Sequence, residues 1–81
     1  MPQRLSETAN RIVGTKQVIK HLRQNRLCTL YLAGDVDDNV RSMLEQAVGS
    51  QALEIVDVPT MKELGQLCGI DVGAACAALL K

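Results

Sequence analysis

Three features of the chain point to an α/β fold, a three-layer α/β/α sandwich with αβαβαβαβ order. Apolar runs of strand length recur near residues 12–13, 27–33, 53–58 and 74–80. Stretches with apolar residues at helical spacing lie between them, and the connections are only a few residues long. Strands that alternate with helices require a sheet covered on both faces, here a mixed sheet of four strands.

The elements follow in order. Pro2 is placed to open a short helix, with Leu5 and Ala9 at i, i+4 as its inward side. Asn10 and Arg11 lead into Ile12-Val13-Gly14, a β-branched strand ended by a glycine. That glycine lets the backbone turn sharply, or lets a ligand come close. Thr15 is suited to cap a second helix that runs to about Arg26, with Asn25 and Arg26 at its C-terminal end. Leu27–Ala33 lacks polar alternation and reads as a central strand covered on both faces.

Gly34-Asp35-Val36-Asp37-Asp38 is a turn with carboxylates ready to cap the next helix. Val40, Met43, Leu44, Ala47 and Val48 then form a helical apolar stripe, stopped by Gly49. Leu53–Val58 reads as the third strand, with Glu54 and Asp57 at exposed positions and Pro59 ending it. Thr60 with Glu63 is a capping box, opening a helix expected to bury Met61, Leu64, Leu67 and Cys68 before Gly69. Ile70–Gly73 reads as a loop and Ala74–Leu80 as the last strand. With no repeats or linkers, residues 1–81 are expected to form one domain.

Formal net charge is zero, which argues against a binder that coats nucleic acid nonspecifically. The distribution is uneven, however. Residues 1–26 hold six cations and one acid (+5), and residues 27–81 hold three cations and eight acids (−5). No run approaches the ~18 apolar residues of a membrane span, and the N-terminal residues lack a signal-peptide core. A cytoplasmic location is expected. Cys28, Cys68 and Cys76 contain no C-x-x-C pair, and His21 has no cysteine or carboxylate at ligand spacing. The three cysteines therefore read as small buried hydrophobes, His21 as a boundary residue, and no metal or cofactor is expected.

Gly14–Arg26 carries the clearest binding pattern. On a helix, Lys16, Lys20 and Arg23 share an arc of about 60°, apart from Val18, Ile19 and Leu22. Cations near a helix N-terminus suit an anion such as phosphate, although a charged face is more often merely solvated. Catalysis finds no support: Gly14-Thr15-Lys16 lacks the order of a phosphate-binding loop, and no serine or histidine has a triad partner. Asp35, Asp37 and Asp38 are explained by capping. With Tyr31 as its single aromatic residue, the chain cannot stack successive unpaired bases. A nucleic-acid target would be a structured element read through shape, phosphates and base edges.

Gly14-Thr15-Lys16-Gln17-Val18-Ile19-Lys20 after a short strand, with Leu64–Ala75 near the C-terminus, resembles the kink-turn RNA-binding ribosomal protein family. That family includes archaeal large-subunit and box C/D particle proteins and small bacterial YbxF-like members, and the resemblance covers essentially the whole chain. It implies a non-enzymatic, monomeric protein that docks on a kink-turn, a bent RNA duplex with tandem sheared G·A pairs, and has no DNA target. Carried over, Gly14 permits close backbone approach. Thr15, Lys16, Gln17 and Lys20 contact bases and phosphates, and Arg23 meets phosphate. Lys62 is a further phosphate candidate. Ile70, Asp71, Val72, Gly73, Ala74 and Ala75 supply an apolar wall and backbone groups around an extruded nucleotide.

The archaeal pattern has Asn-Glu where this chain has Lys16-Gln17. Losing a carboxylate acceptor and gaining a lysine is expected to preserve affinity while weakening discrimination for the sheared pairs. The competing reading, from another class, is a protein–protein adaptor whose acidic remainder serves a basic partner.

Overall fold

The computed structural model describes residues 11–80, so the helix expected from Pro2 lies outside the described residues. Seven elements follow: β1 (Arg11–Val13), α1 (Thr15–Arg23), β2 (Leu27–Ala33), α2 (Asp38–Val48), β3 (Glu54–Val58), α3 (Met61–Cys68) and β4 (Cys76–Leu80). Over this span the alternation is the expected one. The strand order is β1-β4-β2-β3, with β4 antiparallel to both neighbours and β2 parallel to β3. The sheet is mixed and four-stranded, as expected.

β2 explains why the sequence carries no polar alternation there. Leu30 and Leu32 point into one layer, against Val18 and Leu22 of α1 and Leu44 of α2. Tyr31 and Ala33 point into the other, against Leu64 and Cys68 of α3. An interior strand between two helical layers needs an apolar side chain on both faces. Each fully buried leucine here stabilises the fold by roughly 1.5–3 kcal/mol relative to exposure.

Helix ends follow their local chemistry. α1 stops at Arg23, three residues short of the expected Arg26. Asn25 takes a left-handed φ of 56°. Its N–H donates to the Leu22 carbonyl (3.0 Å), and the Arg26 N–H donates to the His21 carbonyl (3.1 Å). These two bonds close a helix in the Schellman manner. Bonds from Gly69 N–H to Gln66 and from Ile70 N–H to Gly65 (both 3.1 Å) close α3 the same way. At the start of α3, Thr60 Oγ1 accepts from the Glu63 N–H at 3.1 Å, as the capping box requires.

Several expectations need correction. Thr15 is the first helical residue of α1 rather than its cap; Gly14 holds the cap position with φ 105° and no side-chain bond. The Asp35 carboxylate does not cap α2, but accepts from the Met61 N–H of α3 at 2.8 Å. Met43 and Leu67, expected in the core, are 47% and 42% exposed. Each lines an open groove beside its helix, where no further described layer covers the stripe. Cys28 is exposed, unlike Cys68 and Cys76, because a register shift between Leu27 and Thr29 interrupts the alternation of β2. β3 begins at Glu54 and β4 at Cys76, each slightly later than expected. The half-buried His21 fits its expected boundary position.

Candidate nucleic-acid interface

The strand registers gather one end of the molecule. Val13 pairs with Ala77, Leu32 with Cys76, and Ala33 with Val58. The C-terminal ends of β1, β2 and β3 therefore meet the start of β4, and the N-termini of α1, α2 and α3 all open there.

The segment entering β4 holds that end together. The Ala74 N–H donates to the Met61 carbonyl at the start of α3 (3.0 Å). The Ala75 carbonyl accepts from the Ala33 N–H at the end of β2, and the Cys76 carbonyl accepts from the Gly14 N–H at the start of α1 (both 3.1 Å). Three consecutive residues are thus tied to three different elements. The Cys76 thiol also lies 3.8 Å from the Thr15 hydroxyl, as a weak hydrogen-bond donor. Burial pushes the Cys76 thiol above its ordinary range, while the Thr15 hydroxyl, able to donate to the thiolate, pulls the other way. Two regions about fifty residues apart in sequence, 14–20 and 70–75, are joined side by side.

The charges of the three helix N-termini differ. α2 has Asp38 in its first turn, and α3 has Glu63 there with the Asp35 carboxylate on its Met61 N–H. α1 has no acid in its first turn. Its N–H groups and the partial positive charge at that terminus are therefore not offset by a local carboxylate. Lys16, Gln17, Lys20 and Arg23 are all exposed along the same helix, while Gly14 and Thr15 are half-buried at its start. Lys16, Lys20, Arg23 and Gln24 join Ile19 and Met43 around an open concavity of about 560 Å³.

The 70–75 loop divides by orientation. Asp71, Val72 and Gly73 are exposed, with Val72 at 70% the most open of the large hydrophobics among the described residues. Ile70 and Ala75 are half-buried, and the Ala74 side chain is buried in the α3-side core. An apolar wall here consists chiefly of Val72, with Ala74 acting through its backbone. Lys62 is exposed in the first turn of α3, whose start is tied to the same loop.

Gly65 shapes this loop, and its role was not read from the sequence. A Cβ at Gly65 would overlap the Val72 carbonyl oxygen and sit 3.0 Å from the Val72 carbonyl carbon and 3.2 Å from Gly73 Cα. Those atoms are backbone and cannot rotate aside. A glycine in mid-helix costs stability relative to alanine, and that cost is the sequence signal that something packs there. Among the described residues, no group of three or more His, Cys, Asp or Glu side chains could hold a metal ion. No described helix is long and apolar enough to cross a membrane.

Comparison with known proteins supplies independent findings. The model for the "Ribosomal protein L7Ae/L30e/S12e/Gadd45 family" matches residues 2–81. An RNA-binding protein of Caldanaerobacter subterraneus subsp. tengcongensis is 43% identical over 68 residues, covering 84% of this chain and 83% of that protein. An RNA-binding protein of Halalkalibacterium halodurans is 37% identical over 79 residues, covering 98% and 96%. Among solved structures, a Giardia lamblia 15.5 kD RNA-binding protein superposes with a TM-score of 0.78 at 18% identity. It covers 95% of this chain and 65% of that one, a likeness of fold.

Proposed function

The chain belongs to the ribosomal protein L7Ae/L30e/S12e/Gadd45 family, and from that premise we propose that it binds structured RNA at a kink-turn and holds the kinked form. The observation that carries this reading is the hydrogen-bonded junction of Gly14 with Cys76, which sets the cationic start of α1 beside the 70–75 loop. The RNA-binding relatives support the same partner class.

In this reading α1 enters the widened groove beside the sheared G·A pairs. Gly14 has φ 105°, and among the described residues no atom beyond its chain neighbours stands within 4 Å of where its Cβ would be, so backbone approach to the RNA is open. Lys16 and Lys20 donate to phosphates and to guanine O6 and N7, Gln17 reads a base edge, and Arg23 meets phosphate one turn on. Val72 packs against an extruded nucleotide, with Asp71 and Gly73 beside it, while Ile70, Ala74 and Ala75 support the loop from behind. Lys62 adds a phosphate contact.

The protein acts as a population shifter rather than an enzyme. Contacts made only with the bent RNA pull the folding equilibrium of that RNA toward the bend. The proposal extends to residues 1–81 working as one monomeric domain in the cytoplasm, in association with ribosomal or other ribonucleoprotein RNA.

Substitution of Lys20 tests the groove-facing helix. Lys20→Ala is expected to weaken kink-turn binding by about 1–3 kcal/mol in a titration at fixed salt. Arg41→Ala is the comparison: Arg41 lies on α2 and donates to the Gly34 carbonyl at 3.1 Å, and its loss is expected to leave affinity nearly unchanged. Equal affinities for the parent and Lys20→Ala would remove α1 from the interface.

A further inference from the structure

We propose that the free edge of β3 receives an extended, basic segment of a partner protein as a fifth strand. β3 ends the sheet, and among the described residues it pairs with β2 alone. The Val58 carbonyl accepts from the Gly34 N–H at 2.7 Å on the β2 side. Alternation along the strand then turns the N–H and C=O of Ile55 and Asp57 outward, where an added strand would meet them. Edges are usually guarded by charged side chains, lysine above all, by an internal proline or by a bulge. β3 has no lysine, internal proline or bulge, Pro59 closes only its end, and its charges, Glu54 and Asp57, are acidic, a guard that a basic strand does not meet as repulsion.

Side-chain surfaces lie ready on both faces of that edge. On the α3 side, Val56, Val58, Pro59 and Leu67 line an open groove of about 720 Å³, with Glu63 among its lining residues. On the α2 side, Ile55 and Val48 border a smaller depression of about 110 Å³ beside Glu45. Ile55 is 49% exposed and Leu67 is 42% exposed. A strand laid along β3 would set alternate side chains over these two surfaces.

Charge selects the occupant. Among the described residues no basic side chain lines either concavity; Glu63 stands on the α3 side, and Asp57, on the same strand face as Ile55, joins Glu45 on the α2 side. Nucleic acid would be repelled. A second copy paired through β3 would bring two Glu54 and two Asp57 carboxylates into one short ladder without a cation, and like charges there are destabilising. An extended segment alternating lysine or arginine with apolar residues matches both the carboxylates and the valine and leucine surfaces. β3 lies two strand spacings from β4, roughly 10 Å, on the edge opposite β1.

The test uses the intact chain and an octapeptide of alternating lysine and valine, followed by NMR amide exchange without RNA. Slowed exchange at the Ile55 and Asp57 amides is expected, with binding that weakens as salt is added. The double reversal Asp57→Lys, Glu63→Lys is expected to lower peptide affinity by about tenfold. As a second variant, Ile55→Pro removes one outward donor without touching the β2 pairing and is expected to abolish protection at Asp57. Peptide binding that leaves both amides unprotected would overturn the proposal. So would equal binding of a glutamate–valine octapeptide, or self-association of the chain through β3. These outcomes leave the RNA reading standing, because no RNA enters the experiment.

Discussion

Replacing Gly65 with alanine is a small change whose sign is decided by geometry. In an open helix the substitution gains about 0.5–1 kcal/mol, since glycine loses more backbone freedom on folding. Here the new methyl would overlap the Val72 carbonyl oxygen and press on Val72 C at 3.0 Å and Gly73 Cα at 3.2 Å. The loop would have to retreat by about an ångström or more before ordinary contact is restored. Its retreat is opposed at both ends by the Ile70 N–H to Gly65 and Ala74 N–H to Met61 hydrogen bonds, each contributing roughly 1 kcal/mol. Overpacking of this kind costs about 1–3 kcal/mol. After the helix gain, a net destabilisation of about 1–2 kcal/mol is expected. Urea denaturation followed by far-UV circular dichroism reads it directly, as a midpoint lowered by roughly 1 M for a domain of this size. A parallel RNA titration is expected to show weakened binding, because Val72 and Gly73 have moved. A Gly65→Ala protein as stable as the parent, with unchanged RNA affinity, would refute the idea that this contact positions the loop.

Other consequences are equally direct. Cys28 is exposed while Cys68 and Cys76 are buried; a thiol reagent is expected to modify one cysteine quickly and two only on unfolding, as counted by mass spectrometry. Burial raises the folded-state pKa of the Cys68 and Cys76 thiols above 9.0 and that of the Tyr31 hydroxyl above 10.0. The folded chain holds these protons longer than the unfolded chain, so their contribution is full below about pH 9 and is lost as pH rises through the raised values. Denaturation midpoints are expected to be flat from neutrality to about pH 9 and to fall above it; a rise there would contradict the sign. Asp35→Ala is expected to cost about 1 kcal/mol in stability through the lost cap on Met61, measurable in the same urea experiment.

Much of the fold was legible because single residues answer to local rules. The unbroken apolar run 27–33 demanded two covered faces, and β2 has them. Thr60 with Glu63 marked the start of α3 from backbone chemistry alone. Tertiary features were less accessible. Periodicity shows which side of a helix turns inward but not whether a layer lies there to cover it, so Met43 and Leu67 fall on the inward stripe although both face open grooves. Cys28 turns outward through a shift in strand pairing, a property of two strands rather than one. Asp35 caps a helix beginning 26 residues later, beyond any local rule.

The candidate site shows the same division. The residues alone reveal a cationic arc on α1, and a solvated face would look identical. The fold adds the absence of any acid in the first turn of that helix and the bonded contact between Gly14 and Cys76. Gly65 stood inside the motif that carried the family resemblance, yet its purpose depends on the Val72 carbonyl, which only the folded loop brings against it. Lys16-Gln17 lies exposed at the start of α1, where reduced base selectivity would be felt.

Kink-turn recognition is tested most directly by titrating the protein into a kink-turn RNA that carries a fluorophore pair across the bend. The same titration is made into a straight duplex of matched length and salt. The account predicts energy transfer that rises in step with binding, and affinity for the straight duplex at least about tenfold lower. The slope of log affinity against log salt should be about −3 to −4, as expected if Lys16, Lys20, Arg23 and Lys62 neutralise phosphates. Equal affinity for the two RNAs, or binding that leaves energy transfer unchanged, would contradict it.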